Sequence, residues 1–214
     1  MRSSLLRLTL LLGFLLMTTV GTVTHAQTAR EVPPATLTAM LAEPLATPPS
    51  GSPQSDVTIV EYFDYNCPVC RAIDPQLRKL LATDPKVRII HKDWPIFGDG
   101  SVYAAYASFA AARAGKYQQA HDALIGSKDD LDSKDDVNKV LQAVGFDVKQ
   151  IDADIARNKK EYDAALARNV RETTALHLEG TPGLVVGNQL VLTGIDYPRL
   201  VQLVARARKK QAHK

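Results

Sequence analysis

The sequence predicts an α/β fold: a central mixed sheet flanked by helices and split by an all-helical insertion. Three observations carry this. A strand, helix, strand unit runs from Val57 to Lys92, a stretch of helical period fills Ser101 to about His177, and a hairpin with an amphipathic helix follows from Leu184 to Arg208. The outer segments are two halves of one sheet-bearing domain, 56–98 and 178–214, and 99–177 is the insertion between them. Ahead of both stand an expected signal peptide, 1–26, and a flexible N-terminal lead-in, 27–55.

The leader has Arg2 and Arg7, then the apolar Leu8 to Val20, and closes on Thr24-His25-Ala26, a small-x-small cleavage pattern. Cleavage is expected near Ala26. The apolar core is short for a membrane span and no second run of spanning length follows, so a soluble, exported mature protein is expected. Removing the leader takes two arginines and no acid, which lowers the formal charge from +3 to +1. That balance speaks against nucleic acid as a partner, and the basic end Arg206, Arg208, Lys209, Lys210 and Lys214 reads as a solvated helix terminus.

The lead-in is rich in Pro, Ala, Thr and Ser and ends in Pro48-Pro49-Ser50-Gly51-Ser52-Pro53, so loose packing is expected, with a short helix over Thr36–Leu41. Val57–Phe63 is a continuous apolar and β-branched run, which suits a strand covered on both faces. Cys67 opens a helix through about Ala82, with Pro68 in the first turn, where proline costs no hydrogen bond. Val87–Lys92 is the next strand, parallel to the first through a right-handed crossover. The insertion predicts four or five helices: Asp132-Ser133 starts one that stops near Gly145, and Asp147 can cap the next. Leu184–Val186, the turn Gly187-Asn188 and Leu190–Leu192 form a hairpin, and Tyr197–Arg208 the closing helix.

Cys67-Pro68-Val69-Cys70 holds the only two cysteines. Two sulfurs at this spacing across a strand-to-helix turn can close a small ring and open it again, whereas structural staples bridge distant segments and come in multiples. A chain of this size buries a core without disulfides, so export explains the cysteines by chemistry. Metal binding is the rival: two thiolates suit Cu(I), and His91 could complete a trigonal site. Zinc wants more convergent ligands, and Arg71 stands where covalent haem attachment needs histidine.

Three features in register, Glu61-Tyr62-Phe63-Asp64-Tyr65-Asn66-Cys67-Pro68-Val69-Cys70, Gly180-Thr181-Pro182, and the hairpin with its closing helix, resemble the DsbA-like branch of the thioredoxin superfamily over roughly Asp56–Ala207. Within it the chain is most similar to suppressor-of-copper-sensitivity oxidoreductases and to bacterial isomerases with Thr-Pro. The resemblance implies a thioredoxin fold and a thiol-disulfide oxidoreductase whose redox group is the Cys67–Cys70 disulfide, with no other cofactor and no metal. Cys67, at a helix N-terminus where free amides and the dipole favour a thiolate, becomes the nucleophile and Cys70 the buried resolving thiol.

By the same resemblance Pro182 is a cis-proline facing the disulfide, and Thr181 with Pro182, Pro68 and Val69 contacts an extended substrate. Glu61 lies where the family often has an acid below the resolving cysteine; a carboxyl buried in a sheet binds a proton more readily, so it can accept the Cys70 proton. His91 or Lys92 on the next strand is its expected partner. Tyr65, Asn66, Trp94, Phe97, Val69 and Gly183 can border an apolar groove, though aromatic residues near strand ends more often pack in cores. His121 and His177 receive no role.

Implied partners are unfolded or cysteine-containing secreted proteins and a membrane redox partner that re-oxidises or re-reduces the pair. The implied compartment is the periplasm. Strong oxidants of the branch have histidine where Val69 stands; losing that donor raises the thiolate pKa by about one unit, roughly 30 mV. A mild oxidant is therefore expected, with isomerase or reductase activity as the alternative that Thr181 suggests. The lead-in is short for an association helix, so a monomer is expected.

Overall fold

The computed structural model describes residues 30–42, 46–192 and 195–212, so the expected leader, 1–26, lies outside the described residues. In chain order the elements are β1 (Arg30–Glu31), α1 (Pro34–Ala42), β2 (Ser50–Gly51), β3 (Val57–Phe63), α2 (Pro68–Thr83), β4 (Val87–Asp93), α3 (Asp99–Arg113), α4 (Tyr117–Ile125), α5 (Lys134–Ala143), α6 (Val148–Ala175), β5 (Gly183–Val186), β6 (Gln189–Val191) and α7 (Tyr197–Ala212). The sheet order is β1-β6-β5-β3-β4-β2. β3 runs parallel to β4 and antiparallel to β5, which makes the sheet mixed, as the sequence predicts.

β3 reads as a continuous apolar run because it is central and covered on both faces. Val57 and Ile59, with Ile89 of β4 and Leu184 and Val186 of β5, pack under Ile73, Leu77 and Leu80 of α2 and Leu200 and Leu203 of α7. Val60 and Tyr62, with Ile90 and Val185, face the other way onto Met40 of α1 and onto Leu176 and Leu178. A third cluster joins Phe63, Tyr65 and both cysteines to Phe109 of α3, Leu124 of α4, Leu141 of α5 and Tyr162 of α6. The cysteines thus sit where sheet and insertion meet.

The described part of the lead-in, 30–42 and 46–55, packs against the sheet. The helix foreseen over Thr36–Leu41 forms as α1, and the residues around it join the sheet: Arg30 and Glu31 pair with Leu190 and Gln189, and Ser50 and Gly51 pair with Ile89 and Arg88. Val32 and Met40 are buried. Composition conceals this because a two-residue strand on an existing edge uses only backbone bonds and needs no apolar period. The additions also cover both edges of the sheet, which would otherwise invite further pairing.

The insertion is four helices. Ser133 and Asp136 form a reciprocal capping box at the start of α5, and Asp147 caps α6 by accepting from the Lys149 amide. At Gly100, in the first turn of α3, a Cβ would lie 1.8 Å from the carbonyl oxygen of Leu131, so only glycine admits the loop that crosses there. The basic end is not wholly solvated either. Arg208 bonds Asp56 and Asp84, fastening α7 to the start of β3 and the end of α2.

Candidate active site

α2 begins on the sulfur of Cys67. This residue is the N-cap, with extended backbone (φ −71°, ψ 116°), and its Sγ accepts from the Cys70 amide at 3.4 Å. Pro68 follows in the first turn, where its missing N–H leaves no helix bond unmade. The Cys67 pKa is lowered to about 6. The hydrogen bond from the Cys70 thiol is the largest cause, the Thr181 side chain and the amides of Cys70 and Val69 assist, and burial opposes. The Cys70 thiol is pushed far above the usual thiol range, first by burial and then by its bond to Cys67 and the charge of Glu61. Both cysteines are free thiols, so at neutral pH the pair carries one negative charge and Cys67 holds it.

The Thr181–Pro182 peptide is cis. The Cys67 thiol donates to the Thr181 carbonyl at 3.3 Å. The buried Thr181 hydroxyl has no hydrogen-bond partner among the described residues in this thiol form, so it can turn its proton to the sulfur once the thiolate forms. Beside this contact lies a groove of about 630 Å³ lined by Val69, Ala72, Ile73, Thr181, Pro182, Leu192, Ile195 and Asp196. Val69 is 57% exposed and Leu192 50%, an apolar rim open to solvent.

The loop before Cys67 is held by polar residues whose role the sequence does not reveal. Asp64 accepts from the amides of Asn66, Ile96 and Phe97 and from the Ser101 hydroxyl, all within 3.0 Å. Asn66 accepts from the Leu131 amide at 2.7 Å and donates to the Leu131 carbonyl at 2.9 Å. Arg71 donates to the Tyr65 carbonyl and to Asn66. Of the residues expected to border the groove, Val69 does, whereas Tyr65 is buried and Asn66 is spent on this clamp. Trp94 packs on the core, and Phe97 stays exposed.

Glu61 is buried, and its partner is His91, with Oε2 to Nδ1 at 2.9 Å. The parallel register decides this, because it sets Glu61 opposite His91 and Tyr62 opposite Lys92 on the reverse face. Lys92 instead donates to Glu172, which also accepts from the Tyr62 hydroxyl. His91, the residue named above as a possible third copper ligand, directs its Nδ1 at Glu61. Among the described residues no group of three or more His, Cys, Asp and Glu is placed to hold a metal.

Comparison with known proteins agrees with this geometry. The family model described as DSBA-like thioredoxin domain matches residues 58–205. A thioredoxin-like oxidoreductase from Silicibacter pomeroyi superposes with a TM-score of 0.75 at 36% identity, over 83% of this chain and 99% of that one. The thiol-disulfide exchange protein alpha-DsbA2 of Wolbachia pipientis gives 0.70 at 27%, over 76% and 87%. The catalytic domain of Proteus mirabilis ScsC gives 0.70 at 23%, over 81% and 95%, a likeness of fold. The curated relatives are Na(+)/H(+) antiporters, such as NhaA 3 of Salinispora tropica, 37% identical over 84 residues and 38% of this chain. The chain spans only 13% to 23% of the length of these relatives, and none of its described helices is long and apolar enough to cross a membrane.

Proposed function

The chain belongs to the DSBA-like thioredoxin domain family, and from that premise we propose that it is an exported, periplasmic thiol-disulfide oxidoreductase acting on cysteine-containing secreted proteins. The observation that carries this is the opposed shift of two thiols one helical turn apart: Cys67 lowered to about 6 and Cys70 raised. Family membership supports disulfide exchange in general. Export rests on the leader 1–26, and the division into 56–98 with 178–214 and 99–177 rests on where the insertion enters and leaves the sheet.

In the oxidising direction a client thiolate attacks Cys67 of the disulfide form. The Cys67–Cys70 bond breaks, Cys70 leaves and takes a proton, and a mixed disulfide joins Cys67 to the client. A second client thiolate then attacks the client sulfur of that bond and expels Cys67. The client loses two electrons and the cysteine pair gains them. Cys67 leaves readily because its thiolate is stabilised, and a low leaving-group pKa speeds exchange. The cysteine pair is the whole redox group, with no cofactor besides it, and a membrane redox partner restores the disulfide.

Thr181, Pro182, Pro68 and Val69 take the client, as an extended segment laid along the apolar groove. Glu61 is the base for Cys70 when that thiol attacks a mixed disulfide. Run in reverse, the same steps reduce or isomerise. The Thr181 side chain favours the oxidising direction, since it adds stabilisation to the Cys67 thiolate and so to the reduced form. The test uses two variants: Cys67→Ser loses all exchange, whereas Cys70→Ser accumulates mixed disulfides with clients. An active Cys67→Ser variant, with nothing trapped by Cys70→Ser, would reverse the roles.

A further inference from the structure

Below the cysteines, Glu61 is joined to a buried set of ionisable groups that the exchange steps do not otherwise use. On β3 and β4 Glu61 is bonded to His91. The His91 ring lies against that of His121 on α4, with centroids 4.4 Å apart and planes inclined by 39°. His121 in turn directs Nε2 at Asp74 Oδ1, 3.6 Å away, while its Nδ1 meets the hydroxyls of Tyr65 and Tyr117 at 3.2 and 3.3 Å. Asp74 sits one turn after Cys70 on α2, and both are buried. Arg78, half exposed, pairs with Asp74 at 2.5 Å and with Asp122 at 3.2 Å and so joins the set to solvent. Asp93 on β4 lies close enough to this set to feel the charges of Asp64 and Glu61.

We propose that the stacked pair His91–His121, flanked by Glu61 and Asp74, is a proton store for the resolving cysteine, with His91 taking through Glu61 the proton that Cys70 releases. This rests on the exchange function proposed above. When Cys70 attacks the mixed disulfide its S–H bond breaks and a Glu61 O–H bond forms. That proton passes along the 2.9 Å bond to His91 Nδ1 and leaves an imidazolium against a carboxylate. The Cys70 sulfur closes on Cys67, and the client departs as thiolate. No oxidant or reductant beyond the client enters.

Two features fit storage rather than structure. Rings at 4.4 Å repel if both are charged, so the pair accepts one proton and not two. His121 is held below the usual imidazole range by burial and then by His91. Burial raises the proton affinity of Asp93 well above that of an ordinary carboxyl. His91 and His121 are positioning residues, since they act on Cys70 through Glu61.

The test follows the full-length protein in its mixed disulfide with glutathione and records the rate at which Cys70 releases glutathione, from acidic to alkaline pH. In wild type the rate shows an inflection set by the histidine pair. In His91→Gln that inflection disappears and the neutral-pH rate falls about tenfold, the lower part of what a positioned base contributes, while mixed-disulfide formation at Cys67 is unchanged. His91→Gln with the wild-type pH profile overturns the proposal yet leaves exchange at Cys67 intact, so the two failures are distinguishable. Should the variant not fold, histidine ring resonances of wild type decide: the midpoint of the pair's titration shifts between dithiol and disulfide forms, and identical titrations in both forms overturn it.

Discussion

The thiol of Cys67 lies 3.3 Å from the carbonyl oxygen of Thr181, although 114 residues separate them in sequence. The strand that follows Pro182 pairs with β3, the strand that leads to Cys67, and this antiparallel register sets Tyr62 opposite Gly183. One sheet therefore carries both halves of the site, and the insertion leaves from and returns to it without disturbing their separation.

Thr181→Val removes the hydroxyl that assists the Cys67 thiolate and keeps the backbone and volume. The Cys67 pKa should rise by about half a unit, equivalent to about 0.7 kcal/mol, and the protein should become slightly less oxidising-resistant in its reduced form. Alkylation rate against pH measures the first effect and equilibration with glutathione the second. An unchanged alkylation profile would remove the hydroxyl from the account.

Stability of the dithiol form should depend on pH with a definite sign. The folded Cys67 pKa, about 6, lies below the ordinary thiol value of 9.0. Between these values the unfolded chain binds more protons than the folded one, so stability rises with pH across that window and is lost as pH falls through about 6. Cys70 behaves oppositely: raised in the fold, it withdraws stability above pH 9.0 as the unfolded thiol ionises. The disulfide form has neither thiol and should lack both slopes. Thermal unfolding of the two forms in matched buffers checks this.

Much of this arrangement is legible in the sequence, and the limits have physical causes. The apolar run Val57–Phe63, the proline after Cys67 and the caps at Ser133 and Asp147 act locally, so spacing alone locates them. Glu61's partner is settled by strand register, which no single strand encodes. His121 looks like an unassigned helical residue because its neighbours Asp74, Tyr65 and His91 come from three other segments. The short strands of the lead-in are hidden for a different reason: strands as short as Arg30–Glu31 have no period to detect.

Asn66→Ala should destabilise by about 2 kcal/mol, since it strands the buried-side amide and carbonyl of Leu131 together with a bond from Arg71. Denaturant unfolding gives the magnitude. Loss of the clamp should also slow exchange, because the loop that aims Cys67 is no longer fixed to the insertion, and an unaltered rate in the folded variant would show that the clamp serves stability alone.

Leu192→Asp, at the exposed apolar rim, should weaken reaction with unfolded protein clients several-fold and leave reaction with glutathione unchanged. The rim contributes by burying apolar surface, and a tripeptide too small to reach it has nothing to lose. Equal effects on both substrates would place the client elsewhere.

The central claim is that Cys67 is ionised at neutral pH while Cys70 is not. Titrating the ultraviolet absorbance of the thiolate in the dithiol form, with Cys70→Ser as the single-thiol control, tests it most directly. One thiolate appearing with a midpoint near 6, and no second before strongly alkaline pH, is the expected result. A midpoint near the ordinary 9.0, or two thiolates appearing together, would contradict it.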